Sequence, residues 1–245
     1  MAADWIYGIH AVAALLERRP ERIAALRVQE GRGDQRMQQL IAAAQGAGIA
    51  IEQVARSQLD EQLPGRHQGV AAQLKAGHDY QEGDIATLLA RSAKPFVLVL
   101  DGITDPHNLG ACLRSADAAG VDLVIAPRDK AAGLTPVVRK VACGAAEVVP
   151  FVQVTNLART LRSLQDLGVW IVGTAGEADG LLYDQDLTGP VALVLGAEGS
   201  GMRRLTREYC DFLVKLPMAG SVSSLNVSVA AGICLFEVVR QRRVV

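Results

Sequence analysis

FVLVLDG, residues 96–102, opens with five apolar residues in a row and shows no alternation. A strand with one wet face alternates polar and apolar side chains; a strand covered on both faces does not. The same texture returns in VDLVIAP (121–127), VWIVGTA (169–175), VALVLGAEG (191–199) and DFLVKLP (211–217). Between them lie stretches with helical spacing: NLGACLRSADAAG (108–120), LARTLRSLQDLG (157–168) and the final run to Arg243. Buried strands alternating with helices predict an α/β domain built on a mostly parallel sheet, over residues 96–245.

Upstream the pattern is different. YGIHAVAALLER (7–18) and DQRMQQLIAAAQ (34–45) have helical spacing, and IAALRV (23–28), IAIEQV (49–54) and HQGVAAQL (67–74) read as strands. These predict a smaller α/β domain over residues 1–75. Residues 76–95, AGHDYQEGDIATLLARSAKP, mix Gly, charge and one short helix-like piece, and are expected to link the two domains.

Composition removes several function classes. Half of the 245 residues are hydrophobic and only ten are aromatic, so the cores must be built from Val, Leu, Ile and Ala. The formal charge of −1 gives no global attraction to nucleic acid or anionic lipid, so any RNA contact must be local. Cys112, Cys143, Cys210 and Cys234 are far apart, and His10, His67, His78 and His107 show no ligand spacing; no metal site is expected. The start of the chain shows no secretory-signal pattern, so reduced thiols and a cytoplasmic location are expected. No apolar run approaches the ~18 residues that cross a membrane.

Ligands of open parallel sheets bind at the carboxyl ends of strands. Three loops at such ends are richer in Gly and polar residues than a connection requires. In DGITDPHNLGACLRSADAAG (101–120), Asn108 is a candidate helix cap, and Arg114 follows a little under two turns later. The pair reads either as an ordinary cap with a solvated cation or as two groups aimed at one anion. LGAEGSGM (195–202) has three glycines in six positions and one charge, Glu198, which reads as a capping carboxylate or a site residue. Its glycine order is neither the dinucleotide fingerprint nor a phosphate loop, which leaves an oxidoreductase or P-loop NTPase unsupported. LPMAGSVSSLNVSVAAG (216–232) reads as a strand end, a turn and a capped helix, or as a third ligand loop.

Taken in order, N-x-G-x-x-x-R at 108–114, G-x-E-G-x-G at 196–201 and L-P-M-x-G-x-x-x-S-L-N-V-S-V-A at 216–230 resemble the three motifs of the SPOUT superfamily. Within it they resemble the TrmH-type RNA ribose 2′-O-methyltransferases. YGIHAV (7–12) and the leader domain are similar to those members that modify a guanosine of bacterial 23S rRNA at the peptidyl-transferase centre. The resemblance implies an L30e-like RNA-binding domain, a deep trefoil knot in the catalytic domain, S-adenosyl-L-methionine as methyl donor, and a homodimer formed through the catalytic domain. It implies catalytic roles for Asn108, Arg114, Glu198, Ser224 and Asn226. It also implies donor contacts from Gly196, Leu216 and Leu225, with Thr174, Ala175, Gly176 and Met218 as neighbours.

Within that expectation, Arg114 serves as a cation on the hydroxyl or its phosphate, because a guanidinium holds its proton too tightly to act as a base. Asn108 and Asn226 orient the substrate, Glu198 orients Arg114, and Ser224 lies between donor and substrate. RNA is expected on the leader domain, with Arg18, Arg19, Arg22, Arg32, Arg36 and Arg66 as candidate phosphate contacts. Two rivals remain at this point: a tRNA ribose methyltransferase of the same fold, and an RNA-binding protein without catalysis.

Overall fold

A computed structural model describes residues 5–63, 67–75 and 80–243, apart from the Arg18 side chain. They fall into two compact units, one within Met1–His78 plus Cys143–Val148, the other within Asp79–Ala142 and Val149–Val245.

The first unit runs β1 (Trp5–Tyr7), α1 (Ile9–Arg18), β2 (Ile23–Gln29), α2 (Gln35–Gly46), β3 (Ala50–Val54), α3 (Arg56–Gln62) and β4 (Val70–Leu74). The sheet order is β1-β4-β2-β3, with β4 antiparallel to both neighbours and β2–β3 parallel. Val12, Leu15 and Leu16 of α1 and Met37, Leu40 and Ala44 of α2 pack on Leu26, Val28 and Val70. Those positions recur at three- and four-residue intervals on each helix, the stripe that amphipathic packing needs. Asp34 starts α2 by accepting the Met37 N–H at 3.2 Å. Its carboxyl is held below the usual carboxylate range, chiefly by the hydrogen bond from Arg32.

The second unit begins with α4 (Ile85–Leu89), inside the stretch expected as a linker. Ile85, Leu88 and Leu89 are buried in the core of this unit. Three apolar residues on a five-residue helix are too few for periodicity to mark them as core. There follow β5 (Phe96–Asp101), α5 (Pro106–Ala119), β6 (Leu123–Pro127), α6 (Pro136–Val141) and α7 (Ala145–Val148), the last belonging with the first unit. The chain continues through β7 (Phe151–Val154), α8 (Leu157–Asp166), β8 (Trp170–Thr174), β9 (Gly180–Leu181) and β10 (Val191–Gly196). It ends with α9 (Arg204–Glu208), β11 (Phe212–Lys215) and α10 (Val227–Arg243).

The sheet order is β7-β6-β5-β10-β8-β11-β9, and every pairing among the described residues is parallel. All residues of β5 and β6 are buried, as continuous apolar runs require. The late strand β10 lies between the earlier β5 and β8, and β11 between β8 and β9. The carboxyl ends of β5, β10, β8 and β11 are therefore neighbours, so the loops that follow them meet on one edge.

The helix after β5 is capped by Asp105, not Asn108. Asp105 Oδ1 accepts the His107 N–H at 2.9 Å, and Pro106 occupies the first helical position. Proline suits that position because its missing N–H would have no helical partner there. Asn108 is thus freed for another contact. Gly110, the glycine of the first motif, serves packing: a Cβ there would lie 2.6 Å from Val141 Cβ and 2.9 Å from the Val138 carbonyl oxygen. At the far end of α10, Arg242 donates to the carbonyls of Lys94 (3.0 Å), Pro95 (3.4 Å) and Gly189 (2.7 Å). Its guanidinium also sits 5.0 Å from the Phe96 ring centroid, which fastens the last turn beneath the strand starts. Among the described residues no helix is long and apolar enough to cross a membrane.

Candidate active site

The loops after β8, β10 and β11 enclose a cleft of about 580 Å³, within the range of small-molecule sites. Thr174, Ala175 and Gly176 line it from β8, Gly196 from β10, and Leu216, Met218 and Leu225 from the loop after β11. Glu198 and Ser224 also line it.

Gly196 is required by closeness. A Cβ on it would stand 2.1 Å from the Gly201 carbonyl carbon and 2.2 Å from the Met202 nitrogen. The loop folds back as a tight hairpin in which Ala197 and Gly201 exchange backbone hydrogen bonds of 3.1 and 2.9 Å. Across the cleft, residues 217–225 make no hydrogen bond within the chain among the described residues. Their N–H and C=O groups can therefore meet a ligand that presents donors and acceptors on a flat or compact frame.

Beside the cleft three side chains from distant parts of the chain converge. Asn226 Nδ2 donates to Asn108 Oδ1 at 2.9 Å and to Glu198 Oε1 at 2.7 Å. Asn226 Oδ1 accepts from the Ser228 N–H at 2.9 Å and from its hydroxyl at 2.6 Å, starting α10. Glu198 Oε1 also accepts the Val227 N–H at 3.2 Å, so a carboxylate faces the positive end of α10. Its bonds run to Asn226 and α10 rather than along α5 toward Arg114. Arg114 is exposed on α5, six residues beyond Asn108 and so about 9 Å along the helix axis and about 120° around it. It lies outside the cleft lining.

Sequence reasoning missed the charged part of the cleft. Glu177, which directly follows the Thr174–Ala175–Gly176 run, forms an ion pair with Arg207 of α9, and Lys215 ends β11 nearby on the wall. The position of Glu177 next to an expected contact run was the available signal; nothing in the local pattern marked Arg207.

Three of the six arginines expected to meet RNA are engaged inside the first unit. Arg19 lies 3.3 Å from Glu21 and Arg22 3.9 Å from Glu147. Arg32 pairs with Asp34 at 2.7 Å and donates to the Gln68 carbonyl at 2.6 Å. Arg36 is exposed on α2. Arg66 and the Arg18 side chain lie outside the described residues. Arg27, not anticipated, bonds Glu52 at 2.7 Å while its guanidinium covers the Trp5 ring at 4.7 Å. Among the described residues no cluster of three or more His, Cys, Asp or Glu could hold a metal ion.

Comparison with known proteins follows the same two-part division. The SpoU rRNA Methylase family model matches residues 95–236, and the model for RNA 2′-O ribose methyltransferase substrate binding matches residues 5–80. Over 241 residues the chain is 63% identical to the 23S rRNA (guanosine-2′-O-)-methyltransferase RlmB of Yersinia pestis, covering 98% of both chains. It is 61% identical to the protein of that name from Escherichia coli strain K12, covering 98% of this chain and 99% of the relative. The crystal structure of the SpoU methyltransferase AviRb from Streptomyces viridochromogenes, in complex with the cofactor AdoMet, superposes with a TM-score of 0.78 at 25% identity. That match covers 98% of this chain and 91% of AviRb. A parallel sheet with its ligand loops gathered on one edge, matched at this identity over nearly the full length, means that the chain belongs to the SpoU rRNA methylase family.

Proposed function

We propose that this chain transfers a methyl group from S-adenosyl-L-methionine to the ribose 2′-hydroxyl of a guanosine in 23S rRNA. The observation that carries this reading is the hydrogen-bonded group Asn108–Asn226–Glu198 beside a cleft lined by unpaired backbone. Relatives at 61–63% identity over almost the whole chain bear that activity in their names, and AviRb was crystallised with the same donor.

When bound, S-adenosylmethionine would supply an electrophilic sulfonium methyl to the ribose oxygen, with S-adenosylhomocysteine as the leaving group. The chain has to bind the donor, aim the hydroxyl and handle its proton. Gly196, Leu216 and Leu225 offer backbone to the donor, with Thr174, Ala175, Gly176 and Met218 around it. Asn108 and Asn226 orient the hydroxyl, and Ser224, in the cleft lining, lies between donor and substrate. Glu198 fixes the Asn226 amide. Arg114 stabilises the developing negative charge and grips the adjacent phosphate through its fork.

Arg114 stands away from the cleft of its own chain, which favours a homodimer in which each catalytic unit completes the other's site. Val229 and Phe236, seven residues apart on α10, are each 50% exposed and offer an apolar stripe for such a contact. The insertion of β10 and β11 between earlier strands supports a trefoil knot, in which the last segment passes through an earlier loop. The first unit, L30e-like in this reading, binds the RNA. Arg36 is its readiest phosphate contact, and exposed pairs such as Arg19–Glu21 exchange partners at little cost. The substrate puts the enzyme in the cytoplasm. The test is methyl transfer from labelled donor to unmodified 23S rRNA, with mapping of the modified nucleotide; absence of transfer, or label on a base, refutes the proposal.

A further inference from the structure

The second unit also buries a carboxylate that the site described above does not use. Asp101 ends β5, is 1% exposed, and stands opposite Gly196 in the β5–β10 register. Its Oδ2 accepts the backbone N–H of Arg203 at 2.8 Å, and its Oδ1 lies 3.5 Å from the Nε of the same residue. Arg203 Nη2 in turn donates at 2.8 Å to the carbonyl of Asp129, in the loop after β6. One arginine therefore ties together the ends of β5 and β6 and the exit of the loop after β10. A buried carboxylate is costly unless hydrogen bonds and an opposite charge compensate it, and here both come from a single residue.

The loop between these anchors is the one that carries Glu198. Its entry is fixed by β10, its middle is closed by the Ala197–Gly201 hydrogen bonds, and its exit is held at Arg203 by Asp101. A displacement of about 1 Å at a reacting group costs up to about a hundredfold in rate. The distance from Glu198 to Asn226 depends on where this hairpin sits.

We infer that Asp101 is a positioning residue for methyl transfer: it sets the hairpin so that Glu198 meets Asn226 and the first N–H of α10. The inference rests on the methyltransferase reading, so its test has one arm that needs no activity. In the full-length protein, Asp101→Ala is expected to lower kcat/KM about 10- to 100-fold. In a Glu198→Gln background the same change is expected to cost less than about threefold, because its effect is transmitted through Glu198. Asp101→Asn keeps an oxygen for the Arg203 N–H and is expected to return to within about fivefold of the parent. Amide exchange at Gly201 and Arg203 is expected to quicken at least tenfold or so in Asp101→Ala, with the strands of the first unit unchanged.

Equal losses with and without Glu198, or unchanged exchange in the loop, overturn the inference. If Asp101→Ala does not fold, Asp101→Ser runs the same cycle with a smaller packing defect. A parent protein that transfers no methyl group refutes the enzymatic reading instead, and amide exchange then decides whether Asp101 anchors the loop.

Discussion

Asn226 donates to Glu198 across 2.7 Å although 28 residues separate them, and the direction of that bond is fixed by a third residue. Ser228 offers its N–H and its hydroxyl to Asn226 Oδ1, which leaves the Nδ2 side for Glu198 and Asn108. The amide orientation is thus set by chemistry on both sides.

Asn226→Asp separates the two jobs of this side chain. It keeps an oxygen for Ser228 and the start of α10, but sets an acceptor against the Glu198 carboxylate and the Asn108 oxygen. Methyl transfer is expected to fall by about two to three orders of magnitude while the melting temperature drops by only a few degrees. Asn226→Ala is expected to lose the helix cap as well, at about 1 kcal/mol. Single-turnover transfer and thermal melts on both variants check this; activity within tenfold of the parent in Asn226→Asp would remove the amide from the site.

Arg114→Lys tests whether the arginine acts as a fork or as a point charge. An ammonium keeps attraction for phosphate but cannot make two parallel hydrogen bonds. RNA affinity is expected to change less than about threefold, and kcat to fall about a hundredfold. Near-parental turnover in Arg114→Ala would exclude it from the mechanism. Mixing Arg114→Ala with a chain defective in the donor cleft, for example Gly196→Ala, is expected to restore some activity if sites are completed across a dimer.

Gly196→Ala acts on the cleft through geometry alone. The new methyl meets backbone atoms at 2.1 and 2.2 Å, so the hairpin has to move rather than a side chain rotate. Overpacking of this kind costs about 1–3 kcal/mol of stability. Titration with S-adenosylhomocysteine is expected to show affinity weakened at least tenfold or so, since the displaced loop forms one wall of the cleft. Unchanged affinity would mean that the donor does not approach Gly196.

Much of the scaffold was readable because burial writes itself into composition. β5, β6, β8, β10 and β11 are all apolar runs at the expected places. β7, only FVQV, and β1, only WIY, are too short to carry a period, and α6, α7 and α9 span six residues or fewer. Strand order has no local signature: nothing in VALVLG states that it will lie between β5 and β8. The meeting of Asn108 with Asn226, 118 residues on, follows from that order and entered the sequence reading only through family resemblance. The Asp105 cap was legible and was missed, since proline at position 106 already points to the preceding residue as cap. The pairing of Arg22 was not legible, because its partner Glu147 comes from far along the chain, whereas Arg19–Glu21 and Arg32–Asp34 join residues two apart in sequence and were open to local reading.

The end of α10 supplies a pH test independent of catalysis. Glu237 is 6% exposed and accepts from Arg240 Nε and Nη2 and from Gln241 Nε2, each at 2.8 Å. The Arg240 hydrogen bond, with help from Gln241, outweighs burial and holds the carboxyl below its ordinary value of 4.5. A folded-state value below the unfolded one gives stability that is complete above pH 4.5 and is lost as pH falls through the depressed folded value. Gln241 also donates to the Gln185 carbonyl at 3.0 Å, so the carboxylate helps to hold the helix end against the segment before β10. Thermal melts from pH 7 down to about 3 are expected to fall more steeply for the parent than for Glu237→Gln, with the two profiles converging at the acid end. Parallel profiles throughout that range would mean that Glu237 gains nothing from Arg240 on folding.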